Sequence, residues 1–201
     1  VGRQPAAAGL RGVVNAVEPL PDAAPGVAEL RQRFREGKAE LLAHFSAARP
    51  SAPAAARLVR ALARHVDATL AALWQRVGMP EGAALLAVGG YGRGELFPYS
   101  DVDVLVLLPP AAVVARPDEA AERQAAIEGF ITACWDIGLE IGSSVRTVDE
   151  CIAEAERDVT VQTALLESRY LTGSRRVFTT FRHANTRAMD AACQLDDTHF
   201  A

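Results

Sequence analysis

The chain has 201 residues, half of them apolar, and a formal net charge of −4. That composition suits a globular unit with its own core, and it argues against a protein that grips nucleic acid mainly by neutralising phosphates. No run of about 18 apolar residues and no basic-then-apolar leader is present, so neither a membrane span nor a signal peptide is expected.

Residues 1–25 are rich in Ala, Gly and Pro and read as a flexible lead-in. Residues 26–80 form an N-terminal helical segment. Leu30, Phe34, Leu41, Leu42 and Phe45 recur at helical spacing from Val27 to about Ala48, where Pro50 and Pro53 break the pattern. A second helix is predicted from about Ala54 to Val77, with Leu58, Leu62, Val66, Leu70 and Leu73 on one stripe, Gly78 past its end and Pro80 as a stop. Residues 81–201 then change period. Ala83–Val88 reads as a short strand, Gly89–Ser100 as a glycine-rich loop with one helical turn, and Asp101–Leu108 as a second strand. Pro109 and Pro110 end that strand. A helix follows from about Pro117 to Ile137, with proline well placed in its first turn.

Leu139–Arg146 is read as a third strand. Thr147 with Glu150 forms a capping box for the next helix. Asp158 caps another helix running to about Leu171 and ended by Gly173. A last helix covers about Arg175 to Ala192. The order predicts an α/β (α+β) fold with a small sheet between N-terminal and C-terminal helices. Trp74 and Trp135 are read as core aromatics. Cys134, Cys151 and Cys193 form no CxxC pair, and the four histidines are scattered, which excludes zinc-type spacing. Unpaired thiols fit a reducing, cytoplasmic setting.

Chemistry concentrates in Leu85–Leu108, LLAVGGYGRGELFPYSDVDVLVLL. Asp101 and Asp103 flank one residue of an extended segment, so both carboxylates project to one side, with α-carbons about 6.5–7 Å apart. Like charges held that close at the edge of a core need compensation, which a divalent cation supplies. Oxygen-only ligation favours Mg²⁺ or Mn²⁺ over zinc. Just upstream, Gly89, Gly90, Gly92 and Gly94 let backbone N–H groups approach an anion. Arg93 stands ready for a bidentate phosphate contact. The spacing GxGxG, with the acidic pair following within a dozen residues, leaves no room for a Rossmann βαβ unit, and no GK[ST] exists for a P-loop.

Strand, GG turn, about ten residues, then DxD on the next strand resembles the nucleotidyltransferase superfamily that includes DNA polymerase beta. The resemblance implies a polymerase-beta-like core with a small mixed sheet. In that superfamily two metals on the DxD pair, a third carboxylate from a later strand and the GG turn serve nucleotidyl transfer. More closely, AVGGYGRGELFPYSDVDVLVL resembles the bacterial PII uridylyltransferase/uridylyl-removing enzymes. So do LRQRFREGKAELLAHF, LAALWQRVGMP and WDIGLEIGSSVRTVDECIAEAERDVTVQTALLESRYLTG. The likeness covers about residues 27–185. It departs from the family at Tyr99, where histidine or leucine is expected, and at Ser143, where histidine is expected.

This resemblance implies transfer of UMP from UTP, with Mg²⁺, to a tyrosine of the PII signalling protein. Asp101 and Asp103 would be metal ligands, and Gly89, Gly90 and Arg93 would hold the triphosphate. For the third carboxylate Glu140 is the first candidate and Asp136 its competitor. Arg146 binds phosphate or pairs with a carboxylate, and Ser100 caps the loop or touches phosphate. Asp158 and Glu167 are explained by capping and a solvated face. The family's HD hydrolase and glutamine-sensing ACT domains have no signature in these 201 residues, so the chain reads as a fragment carrying the transferase part. The alternatives are a related nucleotidyltransferase-like module within a regulatory protein and a nucleotide-binding module without catalysis.

Overall fold

The computed structural model describes residues 25–109 and 117–197. Except for Pro25, the lead-in expected over residues 1–25 lies outside them. Helices α1 (Val27–Ala47) and α2 (Ala52–Val77) come first, followed by β1 (Ala84–Ala87), the single turn α3 (Gly89–Gly92) and β2 (Val102–Leu108). Then come α4 (Pro117–Ile137), β3 (Ile141–Thr147), α5 (Val148–Ala155), α6 (Val159–Leu166), β4 (Arg169–Gly173) and α7 (Arg175–Asp197).

The helix boundaries follow local chemistry. Ser51 caps α2 by accepting from the Ala54 amide, and Gly78 ends it in the left-handed region, φ 69°, where glycine carries no steric penalty. The stripe Leu58, Leu62, Val66, Leu70 and Leu73 is buried as the spacing predicts. Thr147 and Glu150 form the expected capping box: the Thr147 hydroxyl accepts from the Glu150 amide (3.2 Å), and the Glu150 carboxylate accepts from the Thr147 amide (2.7 Å). Those bonds hold the Glu150 carboxyl below its usual range.

The sheet order is β3-β2-β1-β4. β1 runs antiparallel to β2 and β4, and β2 pairs in parallel with β3, so the sheet is mixed. Helices cover both faces. Leu85, Ala87, Val102, Val104 and Val106 pack with α1, α2 and α4. Ala84, Leu86, Leu105 and Leu107 pack with α5, α6 and α7. A strand buried on both faces needs apolar residues at every position. That is why β2 reads VLVLL beyond Asp103, whose own side chain is exposed.

Several sequence expectations are corrected. The helix capped by Asp158 ends at Leu166, not near Leu171, and Arg169–Gly173 forms strand β4 on the open edge of β1. Pairing with an unfilled sheet edge overrides the helical pattern there. Gly173, at φ 93°, ends that strand, pressed against the Ala83 carbonyl. Asp101 stands just before β2, and Glu140 just before β3. Trp74 is a core residue, in edge-to-face contact with Phe130, but Trp135 is 61% exposed because its position in α4 faces away from both cores. Cys134 and Cys151 are buried free thiols, and burial pushes each up to about 12. Among the described residues no helix is long and apolar enough to cross a membrane.

Candidate active site

β1 delivers the chain to the glycine turn, and β2 brings it back alongside. The Val88 amide donates to the Asp103 carbonyl (3.1 Å), which fixes the start of the turn against the acidic strand. Gly89 adopts φ 57°, a left-handed conformation that glycine enters freely. The ideal Cβ position at Gly89 lies 4.0 Å from Asp103 Oδ2. On the other flank, Asp103 pairs with Gly142 of β3, and a Cβ at 142 would collide with Asp103 Oδ1. The carboxylate therefore lies in a slot between two glycines.

A cavity of about 310 Å³ opens on that slot, lined by Gly89, Asp103, Ser143, Ser144, Arg146 and Ala164, among others. It offers a carboxylate, two hydroxyls and a guanidinium on a floor of strand backbone. Asp103 is held above the ordinary carboxylate range, first by burial and then by the charge of Asp101. Among the described residues neither carboxylate has a hydrogen-bonding or ion-pairing side-chain partner. Two repelling oxygen donors with no protein cation between them suit a hard divalent ion such as Mg²⁺, and the glycine-flanked slot leaves space beside them. No group of three His, Cys, Asp or Glu side chains gathers into a metal site among the described residues.

The other predicted residues fall on both sides of this slot. Gly90 lies under Arg93, whose Nη2 is 3.5 Å from the ideal Cβ position of that glycine. The Arg93 guanidinium is engaged by Glu167 (2.6 Å) and Glu95 (3.4 Å). Arg146 is half-buried, shares the cavity with Asp103 and makes no ion pair among the described residues. The Ser100 hydroxyl donates to the Phe97 carbonyl (3.1 Å) and closes the loop before Asp101.

Glu140 stands one position before the pair Val102↔Ile141, so its backbone is level with Asp101, and its carbonyl accepts from the Val102 amide. It lines a second cavity, of about 130 Å³, with Ser100, Tyr99, Lys38 and His65, and not the cavity of Asp103. Asp136 lies in a groove with Arg31 and Trp135, where its carbonyl accepts from Arg31. The structure thus brings Asp101, Asp103 and Gly89 to one end of the sheet, sets Arg146 further along β3, beside Leu107, on the same cavity as Asp103, and leaves Glu140 on the neighbouring cavity.

Sequence reasoning missed Tyr91, within the turn, and Asp67 and Arg169 directly behind it. Arg169 pairs with Asp67 through both terminal guanidinium nitrogens, and the Tyr91 hydroxyl donates to the same carboxylate. A carboxylate on the inward stripe of α2, between Val66 and Leu70, is the signal that marks Asp67.

The sheet, the glycine turn and the acidic pair define a nucleotidyltransferase. Residues 69–166 match the family described as "Nucleotidyltransferase domain", from within α2 to the end of α6. Its likeness to particular proteins is closer still. It is 51% identical over 167 residues to the bifunctional uridylyltransferase/uridylyl-removing enzyme of Burkholderia mallei (strain SAVP1), and 50% identical to that of Burkholderia pseudomallei (strain K96243). Each match covers 83% of this chain but 18% of the relative, so the chain spans less than a fifth of those proteins' length.

Proposed function

We propose that the chain transfers UMP from UTP to a tyrosine hydroxyl of the PII nitrogen-regulatory protein, in the cytoplasm, with Mg²⁺ and release of pyrophosphate. The observation that carries the reading is the unpartnered Asp101–Asp103 pair beside the glycine turn. The relatives' names, at 51% identity, support the choice of nucleotide. The phenolic oxygen attacks the α-phosphorus in line, and the bond to the bridging oxygen of pyrophosphate breaks. Asp101 and Asp103 would hold the metal, two ions in the resembling superfamily, which would neutralise charge on the phosphates. The backbone of Gly89 and Gly90 receives the triphosphate. Arg93 and Arg146 orient it by bidentate contacts, and Ser100 holds the loop that carries Asp101. Glu140 is assigned the third acidic role, as a further metal ligand or as acceptor of the phenolic proton.

Incubating the chain with PII protein, Mg²⁺ and each labelled nucleoside triphosphate in turn tests this. UTP should label PII, and a folded chain that labels nothing with any of the four would overturn the proposal. A second reading, a nucleotide-binding module without catalysis, draws on the separation of Glu140 from the Asp103 cavity. It predicts UTP binding without transfer.

A further inference from the structure

Side chains distant in sequence converge behind the glycine turn. From the first position of β4, Arg169 donates through Nη1 to Asp67 Oδ2 (2.7 Å) and through Nη2 to Asp67 Oδ1 (3.1 Å). The same guanidinium donates through Nε to the Gly92 carbonyl (3.2 Å) and through Nη2 to the Tyr91 carbonyl (3.2 Å). Tyr91 completes the set by donating its hydroxyl to Asp67 Oδ1 (2.6 Å), and its ring centroid lies 5.4 Å from the guanidinium carbon. The α6–β4 link leans on the same place, since the Glu167 carbonyl occupies the space that a Cβ at Gly92 would need.

A bridge serving only to join α2 to β4 would need the two Asp67 bonds alone. The bonds to the carbonyls of Tyr91 and Gly92 do something different. The Gly92 carbonyl has no backbone donor among the described residues, the Tyr91 carbonyl accepts from the Gly94 amide (3.0 Å) and takes a second bond from Arg169, and glycine gives the backbone wide freedom. Fixing the Tyr91 carbonyl also fixes the peptide plane that carries the Gly92 amide. Arginine suits this task because its five donors lie in one rigid plane, so it serves a carboxylate and two carbonyls together. Lysine keeps the charge and loses that geometry.

We infer that Arg169, aligned by Asp67 and Tyr91, is a positioning residue that holds the Gly89–Gly92 backbone in the shape that receives the nucleotide triphosphate. The identity of that ligand rests on the proposed function.

The test compares the parent chain with Arg169→Lys and Tyr91→Phe. Amide hydrogen exchange at residues 89–94 is measured without nucleotide, and KM and kcat for UTP are measured with it. Arg169→Lys should speed exchange across the turn and raise KM about tenfold, the weight of a lost charge-assisted hydrogen bond, with kcat changed by less than about threefold. Tyr91→Phe should shift both in the same direction by less. A lower Tm with exchange and KM unchanged would overturn the inference and make the bridge purely structural. Should Arg169→Lys fail to fold, Tyr91→Phe removes one bond, keeps the ring and decides by the same two readouts. Failure of the parent chain to transfer UMP would count against the proposed function, while exchange in the nucleotide-free chain would still decide this inference.

Discussion

Asp103 and Gly142 lie side by side across the parallel β2–β3 pair, and the Asp103 carboxylate fills the space that a side chain at 142 would take. The acidic site thus depends on a residue defined by what it lacks. Gly142→Ala should leave the fold intact, because position 142 is exposed and alanine is no worse than glycine in a strand. The new methyl must displace the carboxylate, and a misplacement of about 1 Å is enough to lower kcat/KM by about a hundredfold. Steady-state transfer assays beside a melting curve would check this. Full activity in Gly142→Ala would show that the Asp103 position is not critical.

Asp101→Asn and Asp103→Asn should each lower transfer by at least about a hundredfold while the chain stays folded, because each removes an electrostatic contribution without touching core packing. Single-turnover labelling of PII, with circular dichroism as the fold control, measures both. Retained activity in either variant would misplace the metal site.

The Asp103 carboxylate should make stability depend on pH and on added metal. The Asp103 pKa is raised in the native state, so the native chain binds its proton more readily than the unfolded chain. That contribution is fully present below the unfolded-state value of about 3.9 and is lost as pH rises through the folded-state value. In EDTA, the Tm of Asp103→Asn relative to the parent should therefore climb from acid towards neutral pH. Adding Mg²⁺ at neutral pH should raise the parent's Tm and leave Asp103→Asn unmoved, since a ligand stabilises only the state that binds it. A Mg²⁺ shift of equal size in both would count against Asp103 as a ligand.

Arg93, assigned to the triphosphate, already has a partner in Glu167 at 2.6 Å. The two compete for one guanidinium, so Glu167→Gln should tighten UTP binding several-fold and Arg93→Ala should weaken it. The pair is part-exposed and screened by solvent, so stability should change little in either variant. Isothermal titration with UTP separates these outcomes, and weaker binding in Glu167→Gln would show that the bridge helps to hold the turn.

Gly92 and Gly94 offer a contrast within one loop. At Gly92 a Cβ meets the Glu167 backbone carbonyl, which has no free rotor to move aside, whereas Gly94, at φ 77°, faces open space. Gly92→Ala should lower Tm and abolish UTP binding. Gly94→Ala should show only the strain of a left-handed alanine, about 1–2 kcal/mol. Melting curves and titrations on both variants check the order.

The features legible in the sequence were those set within a few residues of themselves. The end of α2 at Gly78, the Thr147–Glu150 capping box, the glycine turn and the nearness of Asp101 to Asp103 follow from backbone sterics and short spacing. The apolar run after Asp103 announced a strand covered on both faces. What lay beyond reach depended on partners far along the chain. Arg169–Gly173 is a strand because β1 offers it an edge, and nothing in RYLTG itself demands that. Arg169 meets Asp67 across 102 residues, and Glu140 and Asp103 line different cavities although β2 and β3 are neighbours. The residue types proposed for the site could be read from the chain alone, because φ/ψ preferences and side-chain alternation act locally. Which residues brace the glycine turn emerged from the folded chain, because hydrogen bonds between distant elements exist only once the sheet has assembled.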